Sequence, residues 1–285
     1  MIMQKLVRLS EHVVYLPPYQ ETDRPVLAAI SGERYTLLMD AGNSSSHAKL
    51  WLSQLAEHNI KGDWLVLTHW HWDHVFGLSE MPIPSLCNTE TFERIIEMQK
   101  LSWEDQAIDE RVKEETEILF CADAMKKELG SDRNIRIKAP DITFSSKMTF
   151  NLGGITCIIE HVGGDHSPDS TVLYVPEEKI LFLGDCLYAN MYAKEWCYTR
   201  EKVVDMISKL EQYDVEIAIL SHGMEPLNKQ EYKAFLELLI NATDLANRFK
   251  GDIKQVTDEM SSMLKRPLNE LETETIQFSI NGYRQ

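Results

Sequence analysis

The segment Trp64-Leu-Val-Leu-Thr-His-Trp-His-Trp-Asp-His74 constrains this 285-residue chain more than any other. Its apolar start, up to Thr68, reads as a short buried strand. His69, His71, Asp73 and His74 follow directly, four side chains of metal-ligating type at one strand end. In extended chain His69 and His71 project to the same side, so two imidazoles can meet one ion. A turn after them lets Asp73 and His74 aim at a neighbouring position. Imidazole and carboxylate ligands without thiolate suit zinc, and also iron or manganese.

The rest of the chain supplies strands and helices in a layered order. Strand-like runs Glu11–Leu16, Val26–Ile30 and Tyr35–Met39 come first, then a predicted helix over Ser45–His58 with Leu50, Leu55 and Trp51 on its apolar side. From Thr89 to Gly130 helical periodicity dominates, with Phe92, Ile95, Ile96 and Gln99 on one face. A second face carries Ile118, Cys121, Ala122, Met125 and Leu129. Ser102-Trp-Glu-Asp105 has the form of a capping box, and Gly130 that of a helix stop. Strands are predicted at Ile142–Phe144, Met148–Leu152, Ile155–His161, Thr171–Val175, Lys179–Leu183 and Val215–Leu220, with a helix at Arg200–Glu211 and a helical tail from Asn228. Two strand-rich halves with interspersed helices predict a layered α/β protein, without the strict alternation of a doubly wound sheet.

Length permits one large or two small domains. No repeat and no Gly/Ser/Pro linker divides the chain, so a single domain over 1–285 is expected. It carries a helical insertion at about 89–137 and a helical tail at about 228–285. The longest uncharged run, Met148 to Ile159, falls short of the roughly 20 apolar residues a membrane span requires. Charges also interrupt the N-terminus where a signal peptide would be apolar, so a soluble cytoplasmic protein is expected. With 29 Lys and Arg against 45 Asp and Glu, the net charge of −16 disfavours nucleic acid and anionic lipid as partners and leaves a small-molecule substrate. The five cysteines, Cys87, Cys121, Cys157, Cys186 and Cys197, form no C-x-x-C pair and suit buried, reduced thiols.

The histidine segment resembles the metallo-β-lactamase superfamily, whose signature is H-x-H-x-D-H at a strand end. The resemblance extends to Asp40 in Leu-Met-Asp-Ala-Gly, His166 in Gly-Gly-Asp-His-Ser-Pro, Asp185 in Leu-Phe-Leu-Gly-Asp and His222 in Leu-Ser-His-Gly. It runs from about Val13 to Gly223, in the family's order, and leaves the tail outside. It implies a four-layer αββα sandwich, two mixed sheets with helices on both outer faces. It also implies two ions, one held by His69, His71 and His166, the other by Asp73, His74 and His222, with Asp185 bridging. Asp40 would order the histidine loop by hydrogen bonding. His161 competes with His166 but sits inside a strand pattern. Cys186 is expected to be packed, because Asp185 takes the bridging position. The family's loop usually carries Gly where Asp169 stands, which puts that loop's finer geometry in question.

The resemblance implies a dinuclear zinc hydrolase, with metal-bridging hydroxide attacking an ester, lactone, thioester or amide carbonyl and Asp73 orienting the water or shuttling its proton. Tyr188, three residues after Asp185, is similar in spacing to metal-dependent acyl-homoserine lactonases. It is either an oxyanion donor or a core aromatic. Trp70 and Trp72 either wall the site or pack beneath it. Tyr192, Trp196 and Tyr198 extend an aromatic segment. Lys194 and Arg200 either meet an anionic substrate or open a solvated helix. The insertion is a cap, an oligomer contact or decoration, and its acidic run Glu104–Glu117 is expected to be solvated. The competing readings are a mononuclear iron persulfide dioxygenase-like oxidoreductase, a phosphodiesterase of the same fold, and a structural zinc module. The last prefers four closed ligands, often Cys.

Overall fold

The computed structural model describes residues 4–131, 133 and 135–285. Strands β1 (Val7–Arg8), β2 (Val13–Leu16), β3 (Leu27–Ser31) and β4 (Thr36–Met39) pair antiparallel in sequence order. Helix α1 (Ser45–Glu57) carries the chain to β5 (Trp64–Val66), which lies parallel to β4. The short helix α2 (Trp72–Val75) leads to β6 (Ser85–Asn88). Helices α3 (Thr89–Met98), α4 (Asp105–Lys113) and α5 (Leu119–Leu129) then precede β7 (Ile142–Phe144), and β6 and β7 extend the same sheet in parallel. A second sheet holds β8 (Lys147–Asn151), β9 (Thr156–His161), β10 (Thr171–Val175), β11 (Ile180–Gly184), β12 (Ile217–Leu220) and β13 (Leu227–Asn228). Its β11 and β12 are parallel, and α6 (Arg200–Leu210) connects them. Helices α7 (Lys229–Arg248), α8 (Ile253–Leu264) and α9 (Glu270–Tyr283) follow.

Side-chain alternation builds the layers. Val13 and Tyr15 face the second sheet and join Ile30, Leu37, Ile159 and Phe182 in the central core. Val14 and Leu16 point the other way, against Trp51 and Leu55 of α1. In β11, Leu181 and Leu183 face outward onto Met206, Ile207 and Leu239 of α6 and α7. Strands covered on both faces need apolar residues at every position, which is why β10 and β11 are continuous hydrophobic runs. A one-residue slip would turn each inner set outward, so burial fixes the register. The result is the expected αββα sandwich of two mixed sheets. A further apolar cluster, including Leu245, Val256, Met260 and Ile280, joins α7, α8 and α9. No helix among the described residues is long and apolar enough to cross a membrane.

One local expectation changes, one gains detail and one strand is new. Ser102 lies before α4 rather than at its cap; the helix starts at Asp105, and Glu104 at the N-cap position makes no side-chain cap. The stretch 89–130 is three helices, with α5 ending at Gly130, whose φ of 57° admits the turn. Ser85–Asn88 forms a buried strand that its polar Ser and Asn concealed.

An ion pair ties α5 to the loop between β2 and β3. Arg24 donates through Nε and Nη2 to Glu128 of α5, at 3.1 and 2.7 Å, and Ser44 Oγ donates to the same carboxylate at 2.6 Å. Burial raises the Glu128 pKa, but the hydrogen bonds from Arg24 and Ser44 outweigh it and hold the carboxyl below its usual range. A folded-state pKa below the unfolded one stabilises the fold above the ordinary Glu value of about 4.3 and loses that contribution as pH falls through the folded value. Glu128→Gln should therefore cost about 3 kcal/mol at pH 7, because it leaves Arg24 partly buried and unpaired. Urea denaturation should show the gap to the native protein narrowing in acid; equal midpoints at pH 7 would refute the role.

Candidate metal centre

The donors collect where the strands of both sheets end. After β4 the backbone of Asp40 is left-handed (φ 57°), a region aspartate tolerates better than most residues. Its carboxylate accepts from Thr68 N–H at 2.8 Å, Thr68 Oγ1 at 2.9 Å and His74 Nδ1 at 2.7 Å. His71 occupies the N-cap position of α2, and that helical turn places Asp73 and His74 beside it. Across the sandwich, Gly184 ends β11 with φ 55°, and a Cβ there would stand 3.0 Å from Thr68 Cβ. Glycine thus permits the close approach that delivers Asp185 to the histidines. His166 lies in the loop between β9 and β10. Asp169 fastens that loop by accepting from Trp70 N–H at 3.0 Å, Thr91 Oγ1 at 2.7 Å and Ser167 Oγ. His222 follows β12, its Nδ1 3.3 Å from Asp23 Oδ1.

Two donor sets result. One atom each from His69, His71 and His166 lie within 4.8 Å of one another, as do atoms from Asp73, His74, Asp185 and His222. Asp185 Oδ2 stands between them, 3.7 Å from His69 Nε2, 3.3 Å from His166 Nε2, and 3.4 Å from both His74 Nε2 and His222 Nε2. Asp73 Oδ2 lies 3.0 Å from His74 Nε2 and 3.2 Å from His222 Nε2. Two donors bound tetrahedrally at 2.0–2.1 Å to one zinc sit about 3.3 Å apart, so these spacings match ligands around an ion. Buried His69 Nε2, His74 Nε2, His166 Nε2, Asp73 Oδ2 and Asp185 Oδ1 have no hydrogen-bond partner. Buried polar atoms are ordinarily satisfied, and a cation between the sets would satisfy these.

Electrostatics point the same way. Burial and the crowding of neighbouring imidazoles hold His69 and His71 well below the usual histidine range, leaving neutral rings with free lone pairs. For His74 and His222 burial also disfavours charge, but nearby carboxylates (Asp73 and Asp185 foremost) outweigh it and raise both well above that range. Burial likewise opposes ionisation of Asp73 and Asp185, yet His74 and His222 hold both carboxyls well below theirs. Without metal, protons on His74 and His222 therefore compensate the buried carboxylates; a cation would displace them.

All seven residues expected as ligands come together, and Asp73, His71, His166, Asp185 and His222 also line a cavity of about 310 Å³. Tyr188 lines it too, its ring 6.0 Å from His166 and 6.2 Å from His222. Burial and Asp185 raise its pKa well above the usual phenol value, so it stays a donor. His161 stays in β9, with Nε2 2.7 Å from the Pro168 carbonyl. Trp72 packs in the core, while Trp70 flanks His71 with ring centroids 4.8 Å apart. Tyr192 lines the cavity; Tyr198 is buried and Trp196 is on the surface. Neither Lys194 nor Arg200 lines it; Arg200 pairs with Asp244 instead. Glu117 departs from the solvated acidic face expected of its run, since its Oε1 accepts from Tyr192 Oη at 3.0 Å. Asp23 and Glu117 reach the site from far along the chain, and no spacing to the histidine segment marks them.

Cys186 is 1% exposed in the outer core of the second sheet, and burial raises its thiol pKa. It belongs to neither donor set. Cys186→Ser should therefore leave zinc affinity within about threefold of the native protein, a free-energy change under ~0.7 kcal/mol; a larger loss in the folded variant would make Cys186 a ligand.

The chain belongs to the metallo-β-lactamase superfamily, whose family model matches residues 26–222. No curated protein sequence matches it. Among solved structures, it is similar to a metallo-β-lactamase from Pontibacter korlensis at 20% identity and a TM-score of 0.57, over 82% of this chain and 99% of that one. It is also similar to the inverting sec-alkylsulfatase Pisa1 from Pseudomonas sp., at 14% identity and a TM-score of 0.66, over 99% of this chain but 50% of that one. Both likenesses are of fold.

Proposed function

We propose that this chain is a hydrolase that holds two zinc ions and cleaves an ester, lactone, thioester or amide carbonyl in a small-molecule substrate. The observation carrying this reading is the convergence of both donor sets on Asp185 Oδ2. His69, His71 and His166 would hold one ion, Asp73, His74 and His222 the other, and Asp185 both. Two ions so placed supply an acidified water and polarise the scissile bond. Asp73 lines the cavity, where its carboxylate orients the attacking water and accepts its proton. As the carbon–oxygen bond forms and the carbon–heteroatom bond breaks, that proton passes to the leaving group. Tyr188 Oη donates to the carbonyl oxygen as negative charge develops on it. Asp40 and Asp23 hold the Nδ1 sides of His74 and His222, which turns each Nε2 toward the carboxylates. Residues 89–131 act as a cap, since Ile118, Phe120 and Cys121 line the cavity from them. A one-iron oxidoreductase would need only two histidines and one aspartate, and the second converged set supports the dinuclear reading.

The test is turnover of zinc-reconstituted protein against lactones, thioesters, β-lactams and phosphodiesters, with metal content measured. On any cleaved substrate, Asp73→Asn should lower turnover at least about tenfold, or ~1.4 kcal/mol, with both ions retained. Tyr188→Phe should cost up to about 10²-fold in kcat. Native turnover by fully loaded Asp73→Asn would remove the role given to that carboxylate, and an unchanged Tyr188→Phe would leave Tyr188 as packing alone.

A further inference from the structure

We infer that the substrate carries an uncharged apolar chain, which lies against the wall formed by Ile118, Phe120, Cys121, Met191 and Tyr192. The inference deepens the hydrolase reading and rests on it for the reacting bond, but not for recognition of the chain. Beyond the donor sets and Tyr188, these five side chains supply most of the cavity lining, with Gln20 and Asp23 at another side. Phe120 is 52% exposed although it lines the cavity, so apolar surface of this wall is open to solvent. Exposed apolar groups beside a binding cavity are retained where a ligand covers them.

Charge narrows the class further. No lysine or arginine among the described residues lines the cavity. Of the basic groups near it, Arg24 pairs with Glu128 and Lys127 with Glu21, Arg94 lies over the Trp70 ring, and Arg111 lies over Trp103 with a hydrogen bond to the Ser102 carbonyl, while exposed Lys194 stays outside the lining. The charged groups at the wall are instead acidic, with Asp23 lining the cavity and Glu117 just behind Tyr192. A carboxylate or sulfate at the far end of the chain would lose water there and gain no counter-charge. A terminal methyl group gains the apolar contact at no such cost.

The experiment uses zinc-loaded protein and matched p-nitrophenyl esters: butyryl, hexanoyl and octanoyl, plus the adipoyl monoester, which is the hexanoyl chain with a terminal carboxylate. kcat/KM should rise about fourfold per methylene, and the adipoyl ester should fall about a hundredfold below the hexanoyl. Calorimetric binding of benzyl ketones with butyryl, hexanoyl and octanoyl chains, which have no carbonyl–heteroatom bond to cleave, should follow the same chain-length series. Phe120→Arg, at a half-exposed position that tolerates a polar group, should raise the adipoyl-to-hexanoyl ratio at least about tenfold. A flat chain-length series in either measurement, or native preference for the adipoyl ester, overturns the inference. If no ester is cleaved but ketone affinity rises with chain length, recognition of an apolar chain stands and the hydrolase reading falls.

Discussion

Asp185→Ala is expected to take the zinc content from two ions per chain toward one and to lower turnover at least about a thousandfold, some 4 kcal/mol of barrier. Asp185 Oδ2 lies within 3.7 Å of imidazole nitrogens from both donor sets, so its loss removes a ligand from each at once. It also removes the negative charge that would stand between two divalent cations, leaving Asp73 as the one anionic ligand of the two sets. Asp185→Asn keeps the shape but loses the charge, and should still fail to retain the second ion firmly. The check is metal content after dialysis against weak chelator, beside turnover on one substrate. Two ions retained by the alanine variant would show that the two sets do not share this carboxylate.

The second large effect is expected at Asp40, which touches no bound ion. Asp40→Ala leaves Thr68 N–H and His74 Nδ1 without their acceptor in a fully buried place. Each abandoned group costs about 1–3 kcal/mol, so the fold should lose roughly 3 kcal/mol in urea denaturation. A freed His74 ring loses its fixed orientation, and zinc affinity should fall about 10–100-fold, as for other carboxylates that orient a ligating histidine. Asp40→Asn separates the two effects: its amide oxygen still accepts from Thr68 N–H, so stability should recover more than zinc affinity. Chelator competition and denaturation on the same preparations measure both. Native affinity in a folded Asp40→Ala protein would contradict the orienting role.

The donors could be read from the sequence because their chemistry is local. His69 to His74 are contiguous at one strand end, and the resemblance to the superfamily picked out His166, Asp185 and His222, each after a strand-like run. Short strand-like runs also predicted β7 and β10 to the residue. What surrounds the donors was not readable, because it depends on tertiary contact. Asp23 meets His222 across 199 positions, and Glu117 meets Tyr192 across 75. Asp169 could be noticed as a departure from the family's glycine. Only the fold shows that its carboxylate ties His166's loop to Trp70 and α3. Ser85–Asn88 escaped because parallel strands within a sheet are held by burial from neighbours, which a four-residue Ser-Leu-Cys-Asn run does not announce. Ser102 misled in the opposite sense, a capping pattern whose helix begins further on.

X-ray absorption on zinc-reconstituted protein, with metal content determined on the same sample, tests the dinuclear centre most directly. Two zinc ions per chain with a zinc–zinc distance of about 3.5–4 Å, in nitrogen and oxygen coordination without sulfur, is the result predicted. A reproducible single ion per chain at full activity, or sulfur in the coordination shell, would contradict it.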